Sequence, residues 1–111
     1  MENTDFITAF ERMAMQTYLT ASEHGFWDGH SNKAEKIALM HSELSEALEA
    51  IRRDDPPDSH IPDFTGQEAE FADCIIRIMD YSQHYKLRIA QAIVAKNVYN
   101  QTRPYKHGKT C

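Results

Sequence analysis

The sequence predicts an all-α protein of four main helices, most simply a four-helix bundle, on three observations. Apolar residues recur at helical spacing in four separate stretches, no stretch alternates apolar and polar residues with period two, and glycines or prolines mark the joints after the first and second stretches. A chain of 111 residues with 41% hydrophobic and 26% charged side chains reads as one globular domain, 1–111, ending in a short basic tail, 104–111. Such a domain is small for an isolated enzyme with a deep pocket, so a subunit interface is expected to complete the bundle and its site.

The first helix is expected from Thr4, as N-cap, to about Ser22, with Phe6, Phe10 and Met13 at i, i+4 and i+7. His24 to His30, with two glycines and the pair Phe26-Trp27, breaks it. Ser31 or Asn32 then caps a second helix, whose stripe Ile37, Met40, Leu44, Leu48 and Ile51 ends near Arg53, where Asp54-Asp55-Pro56-Pro57-Asp58 stops it. A third helix follows Gly66 and runs to about Tyr85. It is expected to bury Phe71, Ile75, Ile78 and Met79 and to carry Glu70, Asp73, Arg77, Asp80 and His84 on its other side. The fourth runs from about Leu87 to Arg103, and Pro104 ends it. Helix two also has a second stripe, Leu39, Glu43, Glu46 and Ala50, which predicts coverage by another subunit or by a substrate pocket.

A net charge of −5 argues against a nucleic-acid backbone as partner, because phosphate binding needs a basic surface. Neither a leader pattern nor a long apolar run is present, so secretion and membrane insertion are not expected and the cytoplasm is the default location. Cys74 and Cys111 make neither a disulfide framework nor a CxxC motif, and Cys74 reads as partly buried filler.

Two carboxylate pairs carry the chemistry. Glu43 and Glu46, then Glu70 and Asp73, are each spaced i, i+3, so on helices each pair leaves one face and repels itself. Antiparallel packing of the two helices would gather four negative charges, which a hard divalent cation makes tolerable. The competing reading, a solvated acidic face, is weakened at Glu43 and Glu46 because alanine occupies both 47 and 50. Glu49 has Arg52 and Arg53 one turn on and suits a surface ion pair; Asp73 has Arg77 at i+4 as an alternative partner. Lys96, Asn100 and Arg103 share a face of helix four and suit phosphate, against the alternative that cations there meet the helix dipole. Lys109 in the tail, and Lys33 and Lys36 at the start of helix two, are further phosphate candidates. Trp27 reads as a plug for the open bundle end that can also stack on a base. The absence of any Glu-x-x-His counts against a ferritin-like di-iron centre.

These residues resemble the MazG-like all-α nucleoside triphosphate pyrophosphohydrolases. The E-x-x-E then E-x-x-D arrangement is matched by Glu43, Glu46, Glu70 and Asp73 with 23 residues between the halves, and the third motif by Lys96-x-x-x-Asn100-x-x-Arg103-Pro104. The resemblance implies a four-helix bundle, Mg²⁺ (or Mn²⁺ as substitute) on the four carboxylates, and hydrolysis of an NTP or dNTP to the monophosphate and pyrophosphate. It also implies a homodimer or homotetramer. Ser42 stands where some members carry a glutamate, which leaves activated water, its proton passed to Glu46, Glu49 or solvent, as the minimal mechanism. The alternatives are a noncatalytic helical metal-binding or regulatory protein, and a phosphoribosyl-ATP pyrophosphatase of the same superfamily.

Overall fold

The boundaries of the four helices follow from local chemistry at their ends. The structure, a computed structural model, describes residues 3–29 and 32–108. Helix α1 spans Thr4–Glu23, α2 Lys33–Arg52, α3 Gly66–Tyr85 and α4 Ile89–Gln101, with a 3₁₀ turn at Tyr105–Gly108. Thr4 is the first helical residue and not the cap; Asn3 precedes it without a side-chain capping bond. Asn32 does cap α2, its Oδ1 accepting from the Glu35 amide at 3.1 Å, and Ser31 lies outside the described residues. At α3 a capping box closes, the Thr65 side chain taking the Glu68 amide while the Glu68 carboxylate takes the Thr65 amide.

α1 ends on Gly25 at φ +83°, with the Phe26 amide reaching back to Ala21 O and the Gly25 amide to Ser22 O. This left-handed stop needs no Cβ, which is why glycine sits there, and it throws Phe26 and Trp27 back over the bundle end. Asp54 and Lys86 perform the same left-handed stop for α2 and α3. The connection between α2 and α3 is ordered by its own side chains. Asp58 accepts the His60 and Ile61 amides, which hold its carboxyl below the ordinary range, and Asp55 accepts the Gln67 amide at the α3 N-terminus. The only β pairing among the described residues is an isolated Pro57–Thr65 bridge.

The architecture is all-α with four helices: α3 lies between α1 and α2, and α4 packs along α1. What the chain buries is small. The buried apolar residues among those described are Ala14, Ala47, Ala50, Ala69, Ala90 and Cys74, as Cys74's filler role anticipates. The expected core stripes face inward only in part: Met40 of α2 and Ile78 and Met79 of α3 are half-buried, whereas Ile37, Leu44, Leu48 and Ile51 of α2, and Phe71 and Ile75 of α3, are exposed. The stripe with Glu43 and Ala50 is the one that α2 turns to its neighbours, because alanines allow close approach and place the polar faces of α2 and α3 together. The radius of gyration, 16.3 Å, exceeds the ~13 Å of a compact chain of this length. Among the described residues no helix is long and apolar enough to cross a membrane.

Gly66 marks the closest approach of α2 and α3. A Cβ there would lie 3.0 Å from Ala50 Cβ and 3.5 Å from Pro56 O, the carbonyl that accepts the Gly66 amide. Gly66→Ala is therefore expected to lower stability by about 1–3 kcal/mol through overpacking, measured by urea melts against wild type. An unchanged midpoint would mean that the two helices separate freely at this point.

Candidate metal centre and adjoining cavity

The close packing of α2 on α3 carries three carboxylates to one place. Oxygens of Glu43, Glu46 and Glu70 all lie within 4.8 Å of one another, with Glu43 buried and Glu46 exposed. A Mg²⁺ octahedron with bonds of about 2.0–2.1 Å needs its oxygens roughly 3–4 Å apart, so a small inward turn of the side chains suffices. Asp73 stands one turn beyond Glu70, outside this trio, exposed and lining the adjoining cavity. Glu49 lies apart from the trio in an exposed ion pair with Arg52 at 3.6 Å.

The sequence offered no cation for Glu43, yet the fold supplies one. Arg77 Nε donates to Glu43 Oε2 at 2.7 Å across the α2–α3 contact. Arg77, which i+4 spacing offered as an alternative partner for Asp73, makes this long-range pair with a carboxylate only 6% exposed. Glu70 answers the same crowding by holding a proton: burial first, then the charge of Glu46 and a hydrogen bond with Glu43, raise its carboxyl to about 7. Asp73 is also raised, by burial and the Glu43 charge, with Arg77 opposing. This donor set, all hard oxygen and electrostatically frustrated, suits a hard divalent cation.

Beside the carboxylates lies a cavity of about 620 Å³ between α1, α2 and α3, within the range of small-ligand sites. Glu43 and Asp73 form its acidic end, Met13, Met40 and Ile76 contribute apolar wall, and Gln16, Thr20 and Asp80 contribute polar groups. Trp27 closes the far end. Its indole N–H donates to Asp80 Oδ1 at 2.7 Å, His84 stacks on one face at 3.7 Å and 6°, and the Lys36 ammonium lies 4.2 Å over the other. The indole ring is thus engaged by both His84 and Lys36. Burial raises the Asp80 carboxyl, and the indole bond and the charges of Lys36, His84 and Arg77 oppose that rise.

The expected phosphate grip is only partly assembled. Lys36 reaches the cavity but donates to Phe26 O at 2.7 Å, fastening the loop, while Lys33 sits over Tyr85 at 4.7 Å. Lys96 and Arg103 flank the Tyr99 ring at 5.1 and 5.6 Å, and none of Lys96, Asn100 and Arg103 lines the cavity. Asn100 Oδ1 is buried without a hydrogen-bond partner. Lys109 lies outside the described residues. Sequence reasoning missed the pairing of Arg77 with Glu43 and the roles of Asp80 and of the α1 polar groups. The i, i+7 spacing of Asp73 and Asp80 on the polar side of α3 was the available signal. In comparisons with known proteins, no family model, curated protein or solved structure matches the chain.

Glu70 sets a pH dependence with a definite sign. Folding raises its pKa from the ordinary 4.5 to about 7, so between these values the folded chain binds more protons than the unfolded one. Without metal, this contribution to stability is present below about pH 4.5 and lost as pH rises through about 7. Wild type is expected to lose stability relative to Glu70→Gln across that window, and Mg²⁺ is expected to bind more weakly as pH falls, since it must displace the proton. Metal-free melts of both proteins at a series of pH values, repeated with Mg²⁺, check this. Parallel curves for the two proteins would remove Glu70 from the proton-binding site.

Proposed function

We propose that the chain is a Mg²⁺-dependent pyrophosphohydrolase of nucleoside or deoxynucleoside triphosphates, acting on the cytoplasmic nucleotide pool. The observation that carries this reading is that Glu43 belongs to the carboxylate trio and also walls the cavity, so cation and ligand would meet at one side chain. The resemblance of the three motifs to MazG-like enzymes supports the same reading. Glu43, Glu46 and Glu70 would hold Mg²⁺, with Asp73 joining from the next turn of α3; Mn²⁺ is the natural substitute. When bound, the ion neutralises phosphate oxygens and acidifies water.

The chain's own residues do the rest. Glu43 and Glu70 would hold the cation in place of their arginine and proton partners, and Arg77, a residue of the cavity wall, would then be free to hold phosphate oxygens with its bidentate fork. Glu46, exposed and one turn from Glu43, is positioned to take the proton from attacking water. Glu46→Gln and Glu70→Gln are each expected to lower turnover by about a hundredfold or more while leaving the fold intact. Pyrophosphate release across the eight common NTPs and dNTPs, with and without Mg²⁺, checks both claims; near-normal Mg²⁺-dependent turnover in both variants would remove these residues from the centre.

The second part of the proposal is a homodimer or homotetramer. Exposed Leu44, Leu48, Ile51, Phe71 and Ile75 are the residues of a core, and large apolar patches on a soluble chain mark an interface. A second copy seated there would complete the core, and its α4 is the natural source of the Lys96, Asn100 and Arg103 face that the single chain keeps away from its own cavity. Sedimentation at micromolar concentration is expected to give a dimer or tetramer, and Leu48→Glu a dissociated, inactive species. A stable, active monomer would contradict this.

A further inference from the structure

Asp80 is a cavity residue that the proposed hydrolysis does not use. It lies seven residues beyond Asp73, two turns along the same helix and so roughly 10 Å further from the cation end. At that distance from bound phosphates a ligand presents its base. Trp27 fixes the carboxylate: the indole N–H occupies Oδ1 at 2.7 Å, and among the described residues this is the one hydrogen bond that Asp80 accepts. The group therefore offers a second acceptor oxygen to a cavity whose lining combines apolar Met13, Met40 and Ile76 with the cations Lys36 and Arg77.

On the reading of this site as a nucleoside triphosphate pocket, we propose that Asp80 is a specificity-determining residue that selects bases carrying an exocyclic amino group, cytosine or adenine, over those with a carbonyl there. An ionised carboxylate only accepts hydrogen bonds. A 4-amino group on a pyrimidine satisfies its second oxygen, whereas a 4-carbonyl sets oxygen against oxygen and leaves that half-buried acceptor without a donor, and sites built this way discriminate strongly. Trp27 does not read the base with its faces, which His84 and Lys36 cover; it holds the reader in place.

Asp80→Asn tests this with almost no change of shape. The indole N–H must still find an acceptor, so the amide oxygen stays with Trp27 and the amide nitrogen, a donor, turns to the cavity. Wild type is expected to favour dCTP over dUTP in kcat/KM by about tenfold or more, and Asp80→Asn to bring that ratio to one or below. Trp27→Phe, which lets the carboxylate rotate, is expected to narrow the ratio without inverting it and serves if Asp80→Asn does not fold. Calorimetric binding of CMP and UMP reads the same preference without turnover. A wild type that prefers CMP but hydrolyses no triphosphate overturns the hydrolase reading and keeps Asp80 as base reader. Equal handling of cytosine and uracil by wild type, preference for uracil, binding of neither monophosphate, or an unchanged ratio in Asp80→Asn each overturns the assignment of Asp80.

Discussion

The ion pair between Glu43 and Arg77 is the constraint on which the rest of this structure depends. Glu43 is the bulkiest buried side chain among the described residues, since the others are alanines, Cys74 and Ser82. A buried carboxylate is tolerated only with a partner, and removing that partner typically costs a protein several kcal/mol. Arg77 therefore fixes the register of α2 on α3 more specifically than the alanine contacts can. Ala47, Ala50, Ala69 and Gly66 permit the close approach; the pair selects which approach is made.

Close approach has an electrostatic consequence. Once Glu43 is seated, helical spacing delivers Glu46 to the same place, and Glu70 arrives from the facing helix. The chain accommodates three acids with the guanidinium of Arg77 and with a Glu70 carboxyl raised to about 7. Gathering these like charges costs folding energy, which the close packing of α2 on α3 must offset.

The helices and their ends were legible in the sequence because their signals are local. Asn32, Thr65, Gly25 and the Asp54 to Asp58 segment each act within a few residues of themselves. Of the four carboxylates that i, i+3 spacing and antiparallel packing were expected to gather, Glu43, Glu46 and Glu70 do lie together, and Asp73 stands outside them. The inward face was not legible. The most apolar stripe of a helix marks what must be covered, without saying whether the cover comes from the same chain, and α2 and α3 turn Leu48 and Ile75 outward. The pairing of Arg77 with Glu43 was hidden for a related reason: Asp73 is four residues away and visible as a neighbour, whereas Glu43 is 34 residues away and becomes one only through packing. The position of Lys96 and Arg103 depends likewise on where α4 docks, which no motif encodes.

The polar side of α3 orders all of this chemistry along one line. Glu70, Asp73, Arg77 and Asp80 follow at steps of three, four and three, the spacing that keeps side chains on one face of a helix. Acid pairs occupy the first turn, a guanidinium the next, and a tethered carboxylate the third. Because a helix is stiff over three turns, the separations between Glu70, Arg77 and Asp80 are set by sequence number alone, at roughly 1.5 Å per residue. The same helix also positions the loop that follows α1: Gly25 turns the chain, and Asp80 holds the Trp27 indole by accepting its N–H.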